Sequence, residues 1–344
     1  HRRPDLSRTP SDALMGTVSI STLTASPPQP NQTPDHFPST GLVKATLRNI
    51  PMLDRLAPAV FVFLWSTGWI VAKYASAHAD PVTFLAARHA LAAVVFLCLG
   101  LALRVTWPKT GREIGHAVLS GIFLHGLYLA GVWYAIGQGV PSGLSGIIAG
   151  LQPLMTAAVA PFLLSETLSR RQKLGLALGF AGIFIAISPQ LFRSLSAGMT
   201  GLGLPLLLNL MAMGSVTYGT IYQKRYLQQG NLVAIGTLQY VGAFIVTLPV
   251  AYLIEPMRFD WTTQALAAMA WSVIGISLGA VALLLYLIRR GQVSRAASLI
   301  YLVPPVVAVE AAILFGEPLT LPMVTGTAIV VLGVYLVNRK ARAG

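Results

Sequence analysis

Three ionisable side chains interrupt long apolar runs of this sequence. Arg88 lies in "FLAARHALAA", His125 in "GIFLHGLYLAGVWYA" and Glu310 in "VVAVEAAILF". A charge at the centre of a membrane-spanning helix costs about 2.5–3.5 kcal/mol on insertion scales, so such a group faces the interior or finds a partner. Histidine titrates near neutral pH, and a guanidinium can bind a carboxylate through two parallel donors. We therefore expect these residues to couple charge or protons to the activity.

Each of the three also has a structural interpretation, which the sequence leaves open. Arg88 could pack the bundle or extend to the interface beyond Asp80. His125 could be a neutral histidine that is hydrogen-bonded to a neighbouring helix. Glu310 is the only carboxylate well inside a predicted span. It could bind an amine or a proton, or form an ion pair with Arg88 or His125.

A second group of residues has the composition of an amphipathic binding pocket, which is mostly apolar with a few polar groups. Trp65 and Trp69 are four residues apart and share one helix face. Other aromatic residues belong to interfacial belts, and each one alone could serve packing. We expect a substrate site to draw on six residues, namely Trp65, His125, Tyr128, Gln152, Tyr218 and Tyr301.

No metal or catalytic pattern accompanies these residues. The sequence has no zinc-ligand spacing, phosphate loop or nucleophile elbow at a convincing place. We therefore predict no cofactor, no metal ion and no catalytic residue.

The composition of the chain predicts that these side chains lie on membrane-spanning helices. Of the 344 residues, 55% are hydrophobic and 10% are charged, whereas soluble domains carry about 25% charged residues. Long apolar runs recur from Pro58 onward, which predicts an all-α polytopic membrane protein with the lipid bilayer as its partner. The net charge of +13 would suggest nucleic acid in a soluble protein. Here the charges sit at helix ends, so we predict no nucleic-acid partner.

Ten transmembrane helices are predicted, and Lys and Arg set their orientation. The spans are 58–75, 81–103, 114–136, 141–163, 171–188, 202–223, 232–254, 265–288, 293–315 and 321–338. Every second loop is basic, as in Arg170, Arg171 and Lys173, whereas the loops around 76–80, 137–140 and 316–320 hold no Lys or Arg. Cytoplasmic loops carry the excess of positive charge, so both termini are predicted to be cytoplasmic.

Residues 1–50 differ from the rest of the chain. They are rich in Pro, Ser and Thr, with few large apolar residues. We predict a disordered N-terminal tail. The chain begins with His, so Met52, just before the first span, could be the natural start.

The sequence also repeats itself. Residues 141–188, shifted by 151 positions, fall on 292–339 without a gap, so that Pro153 meets Pro304 and Glu166 meets Glu317. With five spans per half, the second half must enter the membrane from the opposite side. We predict an inverted five-plus-five repeat with halves at 55–188 and 202–340, an organisation typical of secondary transporters.

Repeat-related residues also predict contacts. Glu166 and Glu317 each precede the next helix by a few residues, where a carboxylate can cap a helix start and meet its positive dipole end. Gly175 and Gly179 form a small-residue face that would suit packing within the bundle or a homodimer contact.

The run "SGIIAGLQPLMTAAVAPFLLSETLSRRQKLGLALGFAGIFIA" closely resembles the signature of EamA domains in the drug/metabolite transporter superfamily. The second half has a matching version, "LIYLVPPVVAVEAAILFGEPLTLPMVTGTAIVVLGVYLV", and the resemblance covers roughly residues 55–340. It implies a ten-helix inner-membrane carrier whose central cavity is lined mainly by spans one, three, four, six, eight and nine. It also implies export of amino acids, related metabolites or drugs, although a fold alone names no ligand.

We therefore predict a secondary transporter, not an enzyme, that exports small metabolites such as amino acids across the bacterial inner membrane by alternating access. One alternative is an exporter of lipophilic drugs. Small multidrug carriers use a first-span carboxylate, and residues 58–75 contain none. Another alternative is an intramembrane enzyme or a non-transporting receptor. For an enzyme, His125 and Glu310 are the obvious acid–base groups at membrane depth, which are few for a catalytic site.

Overall fold

The predicted all-helical fold with ten helices is confirmed. The computed structural model describes residues 51–164, 168–196, 201–280, 282–283 and 300–338. In this part of the chain, eight helices are long and apolar enough to cross a membrane, and two more are shorter. The helices are α1 (Pro51–Ala75), α2 (Pro81–Ala102), α3 (Gly111–Gly137), α4 (Ser142–Ile148 and Leu151–Leu164), α5 (Arg170–Ser196), α6 (Gly203–Tyr226), α7 (Leu232–Ile254), α8 (Thr263–Ala280), α9 (Val303–Phe315) and α10 (Leu321–Asn338).

The two halves repeat each other helix by helix, as the inverted five-plus-five repeat requires. Helices α2 and α7 begin at Pro81 and Leu232, which are related by the 151-residue offset found in the sequence. At the same offset, the π-helical stretch Ile122–Leu127 of α3 falls within the π-helical stretch Trp271–Ala280 of α8. The break between the two segments of α4 corresponds to the 3₁₀ turn Ile300–Leu302 before α9. The distortions are therefore features of the shared fold.

Glycines bring the last helices of the two halves together. Gly175 and Gly182 of α5 lie against Gly333 and Gly326 of α10, and a Cβ at any of these positions would collide with backbone of the opposite helix. Small residues allow this close approach. Gly179 also lies inside the bundle, against Leu154 and Gly333. The small-residue face therefore packs within one copy, and a homodimer stays a prediction.

The helix ends define two faces of the bundle. We call the end that carries the loops before α3, α5 and α7 the basic face, because its charged residues include Lys109, Arg112 and Arg225. The other end, which carries the loops before α2, α4, α8 and α10, is called the opposite face. There the loop before α2 pairs with the loop before α8, through an isolated β-bridge between Ala79 and Phe259.

Carboxylates of the second half cap helices of the first half at the opposite face. Glu317, after α9, accepts hydrogen bonds from Ser142 N at 2.9 Å and Gly143 N at 2.9 Å, at the start of α4. Glu255, after α7, accepts from Val82 N at 2.9 Å and Thr83 N at 2.7 Å, at the start of α2. Each negative charge meets the positive end of a helix dipole.

The Glu317 contact corrects one expectation. The sequence predicted that Glu317 caps a helix start, and because Glu317 lies shortly before α10, that helix was the expected one. The carboxylate instead caps α4 of the other half, because α4 and α9 pack against each other as repeat-related neighbours. Three other expectations stay predictions. Glu166 and the N-terminal tail lie outside the described residues, in 165–167 and 1–50. The described residues do not bear on Met52 as the natural start.

Candidate functional site

A cavity of about 550 Å³ lies between the two halves. The expected helices α1, α3, α4, α6, α8 and α9 contribute to its wall, and α2, α7 and α10 contribute as well. At one end it reaches Gln223 and Leu232, which lie where α6 ends and α7 begins at the basic face. At the other end it reaches Trp69 and Trp133, each within about two turns of a helix end at the opposite face.

Most of the predicted site residues line this one cavity. Because they come from helices of both halves, the repeat brings together side chains that are far apart in the sequence. They are Trp65, Arg88, His125, Tyr128, Gln152 and Tyr301. The grouping agrees with the expected location, while binding by these side chains stays a prediction.

Tyr218 is not part of the cavity wall. Its side chain is 49% exposed, and its ring packs edge-on against Phe123 at a centroid distance of 4.6 Å. The reason is the helical period of α6. Val216, Thr220 and Gln223 face the cavity at spacings of four and three residues, and position 218 falls on another side of the helix.

Glu310 also lies outside the cavity wall, between α9 and α1. Ser66 Oγ is 2.8 Å from Glu310 Oε1 and 2.8 Å from the carbonyl oxygen of Phe63. The other carboxylate oxygen, Oε2, is buried without a hydrogen-bond partner in the described residues. The ion pair with Arg88 or His125 that the sequence allowed is not found among the described residues.

His125 sits at the π-helical stretch of α3 and faces α7. Its ring stacks on Tyr240 at a centroid distance of 4.9 Å and an interplanar angle of 20°. Beside it, Gln239 donates to Ser120 Oγ at 2.8 Å, which ties α7 to α3. The π-helical turn shifts the helix register here, a distortion that is frequent at functional sites.

Arg88 is a buried cation in the wall of the cavity. It is 4% exposed, and its Nη2 donates to Ser277 Oγ at 3.3 Å. Its guanidinium carbon lies 5.9 Å from the ring centroid of Trp133, within cation–π range. Its Nε has no hydrogen-bond partner in the described residues. Of the two structural interpretations, packing within the bundle agrees with this burial, whereas extension to the interface beyond Asp80 does not.

The remaining wall is largely flat and apolar. Gln152 donates to Thr220 Oγ1 at 3.2 Å, which joins α4 to α6 across the cavity wall. Aromatic rings from four helices and the turn before α9 line the cavity together with aliphatic side chains. The aromatic residues are Trp65, Trp69, Phe96, Tyr128, Trp133, Tyr240 and Tyr301.

Tyr240 and Ser277 are among the wall residues that the sequence did not indicate. These two residues carry no charge and lie in ordinary apolar runs, so nothing in their spacing distinguishes them. A usable signal did exist for α7. Gln239, next to Tyr240, is the repeat partner of Arg88, and it also lines the cavity. The described residues contain no group of three or more His, Cys, Asp or Glu side chains that could hold a metal ion.

The comparison with protein families decides what this architecture is. The sequence model of the EamA-like transporter family matches residues 56–188 and again residues 203–339. The chain belongs to the EamA-like transporter family. It is therefore a multi-pass membrane protein of a transporter family, and the two matched segments are its two EamA repeats.

Relatives along most of the chain support this assignment. The chain is 27% identical to the "Uncharacterized transporter YvbV" of Bacillus subtilis over 83% of this chain and 91% of that protein. It is 28% identical to a "Probable amino-acid metabolite efflux pump" of Salmonella typhimurium over 82% of this chain and 94% of that protein. A solved crystal structure superposes with a TM-score of 0.58 over 82% of this chain and 96% of that one, at 18% identity, which supports the fold alone.

Proposed function

We propose that this transporter exports small metabolites, such as amino acids, from the cytoplasm across the bacterial inner membrane by alternating access. Two distant relatives, of Salmonella typhimurium and Escherichia coli, are named probable amino-acid metabolite efflux pumps. Another, of Escherichia coli, is named an inner membrane transporter. The proposal extends the shared family to a direction, a substrate class and a membrane.

The observation that carries the proposal is the cavity between the two repeats. Its volume of about 550 Å³ suits a small organic molecule, and its wall combines aromatic faces with a few polar groups. It extends toward the basic face, whereas carboxylate caps from Glu255 and Glu317 join the halves at the opposite face. This arrangement fits a carrier whose site is open toward the cytoplasm, with the basic face as the cytoplasmic side.

Substrate binding is proposed for Trp65, His125, Tyr128, Gln152 and Tyr301, which line the cavity. Tyr218 packs outside it, so its predicted contact with substrate would require a different conformation.

The contact of Glu310 with Ser66 supports proton coupling. A hydroxyl group carries one proton, yet Ser66 Oγ is 2.8 Å from both Phe63 O and Glu310 Oε1. Ser66 either shares its proton between the two acceptors, or it donates to Phe63 O while a protonated Glu310 donates to Ser66. The second arrangement is the one that proton coupling uses. We propose that Glu310 releases this proton in the other conformation of the transport cycle. His125 is the second proposed proton carrier, and Arg88 supplies fixed positive charge.

Flux in reconstituted vesicles tests the proposal. Uptake of a radiolabelled metabolite panel is measured with and without a pH gradient. We expect gradient-dependent flux that Glu310→Gln or His125→Ala abolishes, while exchange without a gradient is partly retained. If both variants keep the pH dependence of the parent protein, facilitated diffusion replaces proton coupling. Absence of flux for every metabolite in the panel contradicts the transport proposal itself.

Binding variants locate the site. Trp65→Ala and Tyr301→Ala each remove a ring from the cavity wall, and we expect weaker substrate binding on purified, folded protein. Trp261→Ala is the matched control, because its side chain is 80% exposed in the loop before α8. Equal affinity of all three variants would place the site elsewhere.

A further inference from the structure

Two buried N–H donors in the cavity wall lack acceptors. Arg88 Nε and Trp69 Nε1 are both buried without a hydrogen-bond partner in the part of the chain that the structure describes. The two side chains are 4% and 5% exposed, and both line the cavity. A buried donor without a partner costs the full free energy of its desolvation, so such groups call for an acceptor. The unpartnered atoms in this wall are donors, which points to an acceptor-rich ligand.

The charge of the cavity points in the same direction. The wall holds the guanidinium of Arg88 and no Asp or Glu side chain among the described residues. Within 4 Å of Arg88 no carboxylate is found in the same part of the chain. The stretch 284–299, which the structure does not describe, contains no Asp or Glu in its sequence. The described residues therefore offer this cation no counter-charge inside the cavity.

Five acidic residues of the described membrane part make their contacts elsewhere. Glu255 and Glu317 cap helix starts, and Glu113 closes a capping box at the basic face. Asp80 accepts from Arg258 N at 2.7 Å, and Glu310 contacts Ser66. None of these five lines the cavity. A substrate ammonium group would consequently find aromatic faces and neutral oxygens, but no carboxylate.

We propose that Arg88 binds a carboxylate of the substrate, assisted by Trp69, and that the preferred substrates are flat, apolar monocarboxylates whose amino group is absent or masked. The inference rests on the proposed function and narrows its substrate class, from small metabolites such as amino acids to related acids that lack a free ammonium group. The carboxylate neutralises the buried guanidinium and accepts from Nε, which is buried in this conformation and turns toward the cavity on binding, while Nη2 donates to Ser277. The apolar body of the substrate lies against the aromatic wall, toward Trp65 and Tyr301.

Four ligands of one size test this inference by calorimetric titration of the purified full chain in nanodiscs. The ligands are 3-phenylpropanoate, 3-phenylpropanamide, phenylalanine and phenethylamine. They share a phenyl ring and a short chain, and they differ in the carboxylate and the ammonium group. We expect 3-phenylpropanoate to bind most tightly, about tenfold more tightly than its amide, since hydrogen bonds to a charged group are the strong ones. Phenylalanine should bind more weakly than 3-phenylpropanoate.

Two variants assign the selectivity to named atoms. Arg88→Met keeps the apolar stem and removes the charge, so the acid-to-amide affinity ratio should fall to about one. Trp69→Phe keeps a ring and removes the N–H donor, and it should lower the ratio by a smaller factor. A residue that only supports the fold would weaken acid and amide equally. The matched controls are Arg193→Met and Trp261→Phe, whose side chains are exposed at the opposite face.

Each outcome decides the inference. Tighter binding of phenylalanine, phenethylamine or the amide than of 3-phenylpropanoate overturns it, and so does an unchanged acid-to-amide ratio in Arg88→Met. Failure of all four ligands to bind also overturns it. Vesicle flux separates this failure from that of the proposed function. Flux of an amine or an uncharged metabolite would retain the transporter and reject the carboxylate site, whereas binding of the acid without any flux would reject transport.

Discussion

Two helix starts at the opposite face are stabilised by contacts between the halves, although the starts of α8 and α10 at the same face have local caps, from Thr262 and Thr320. At the opposite face, α2 and α4 of the first half are capped by Glu255 and Glu317 of the second half. At the basic face, the described caps are local: Thr110 with Glu113 at α3, Ser169 with Gln172 at α5, and Asn231 at α7. A cap from another helix breaks when the halves separate, whereas a local cap does not.

Repeat-related positions make the difference clear. Asp80 and Asn231 occupy the same place before α2 and α7. Asn231 accepts from Val233 N at 2.9 Å in its own helix. Asp80 makes no side-chain cap and turns to Arg258 instead, since Glu255 already occupies the start of α2. One fold can thus join the halves through carboxylates at one face, whereas the described contacts between halves at the basic face include none, as in the hydrogen bond between His116 Nδ1 and Tyr222 Oη at 2.6 Å. Such a difference between the two faces fits alternating access between two conformations.

The largest expected effect concerns which face of the bundle lies in the cytoplasm. Reporter fusions after Arg112, Arg171 and Arg225 at the basic face should all report the cytoplasm, because positive loops stay inside. Fusions near Gly139 and Gly198 should report the far side. The readout is all-or-none. A cytoplasmic signal at Gly139 would reverse the assignment of the faces and the proposed inward-open state with it.

The next effect concerns the charged contact between halves. Glu317→Gln replaces a carboxylate oxygen with an amide N–H, which faces the donors of Ser142 and Gly143. We expect the free energy of unfolding to fall by about 2 kcal/mol. We also expect the opposite face to open more often. Opening is measured in a Cys98→Ser background by the labelling rate of Val132→Cys with an impermeant maleimide from the far side. Val132 is 2% exposed and lines the cavity, so its labelling should accelerate.

Glu113→Gln is the matched control at the basic face. A glutamine can replace the glutamate of a capping box, so the cost should be a few tenths of a kcal/mol and the labelling rate of Val132→Cys should not change. Equal effects of the two substitutions would mean that Glu317 contributes only a helix cap and does not hold the halves together.

The comparison also marks what the sequence could predict. Apolar runs and the 151-residue offset predicted the ten helices and their repeat, because membrane spans and repeats leave patterns along the chain. Six of the eight predicted site residues line the cavity. The partner of a capping carboxylate leaves no such pattern. Glu317 lies four residues before α10 but 175 residues from Ser142, which it caps. Tyr218 lies outside the cavity wall for a related reason, since aromatic character does not reveal which side of α6 faces the cavity.

The smallest expected effect sharpens the comparison at the two equivalent helix starts. Asn231→Ala removes the acceptor for Val233 N and Ala234 N. Loss of this N-cap lowers the stability of the helix start by about 1 kcal/mol, so hydrogen exchange of the two amides should accelerate about fivefold. Asp80→Ala occupies the same repeat position, yet exchange at Val82 and Thr83 should not change, because Glu255 accepts from both amides. Hydrogen–deuterium exchange on peptides covering both helix starts measures the pair in one experiment.

In the double variant Asp80→Ala with Glu255→Gln, exchange at Val82 should then rise. This result would show that the cap from the other half, and not burial alone, protects the Val82 amide. Faster exchange at Val82 in Asp80→Ala alone would instead show that both halves cap their helices locally, and the asymmetry between the faces would then rest on Glu317 alone.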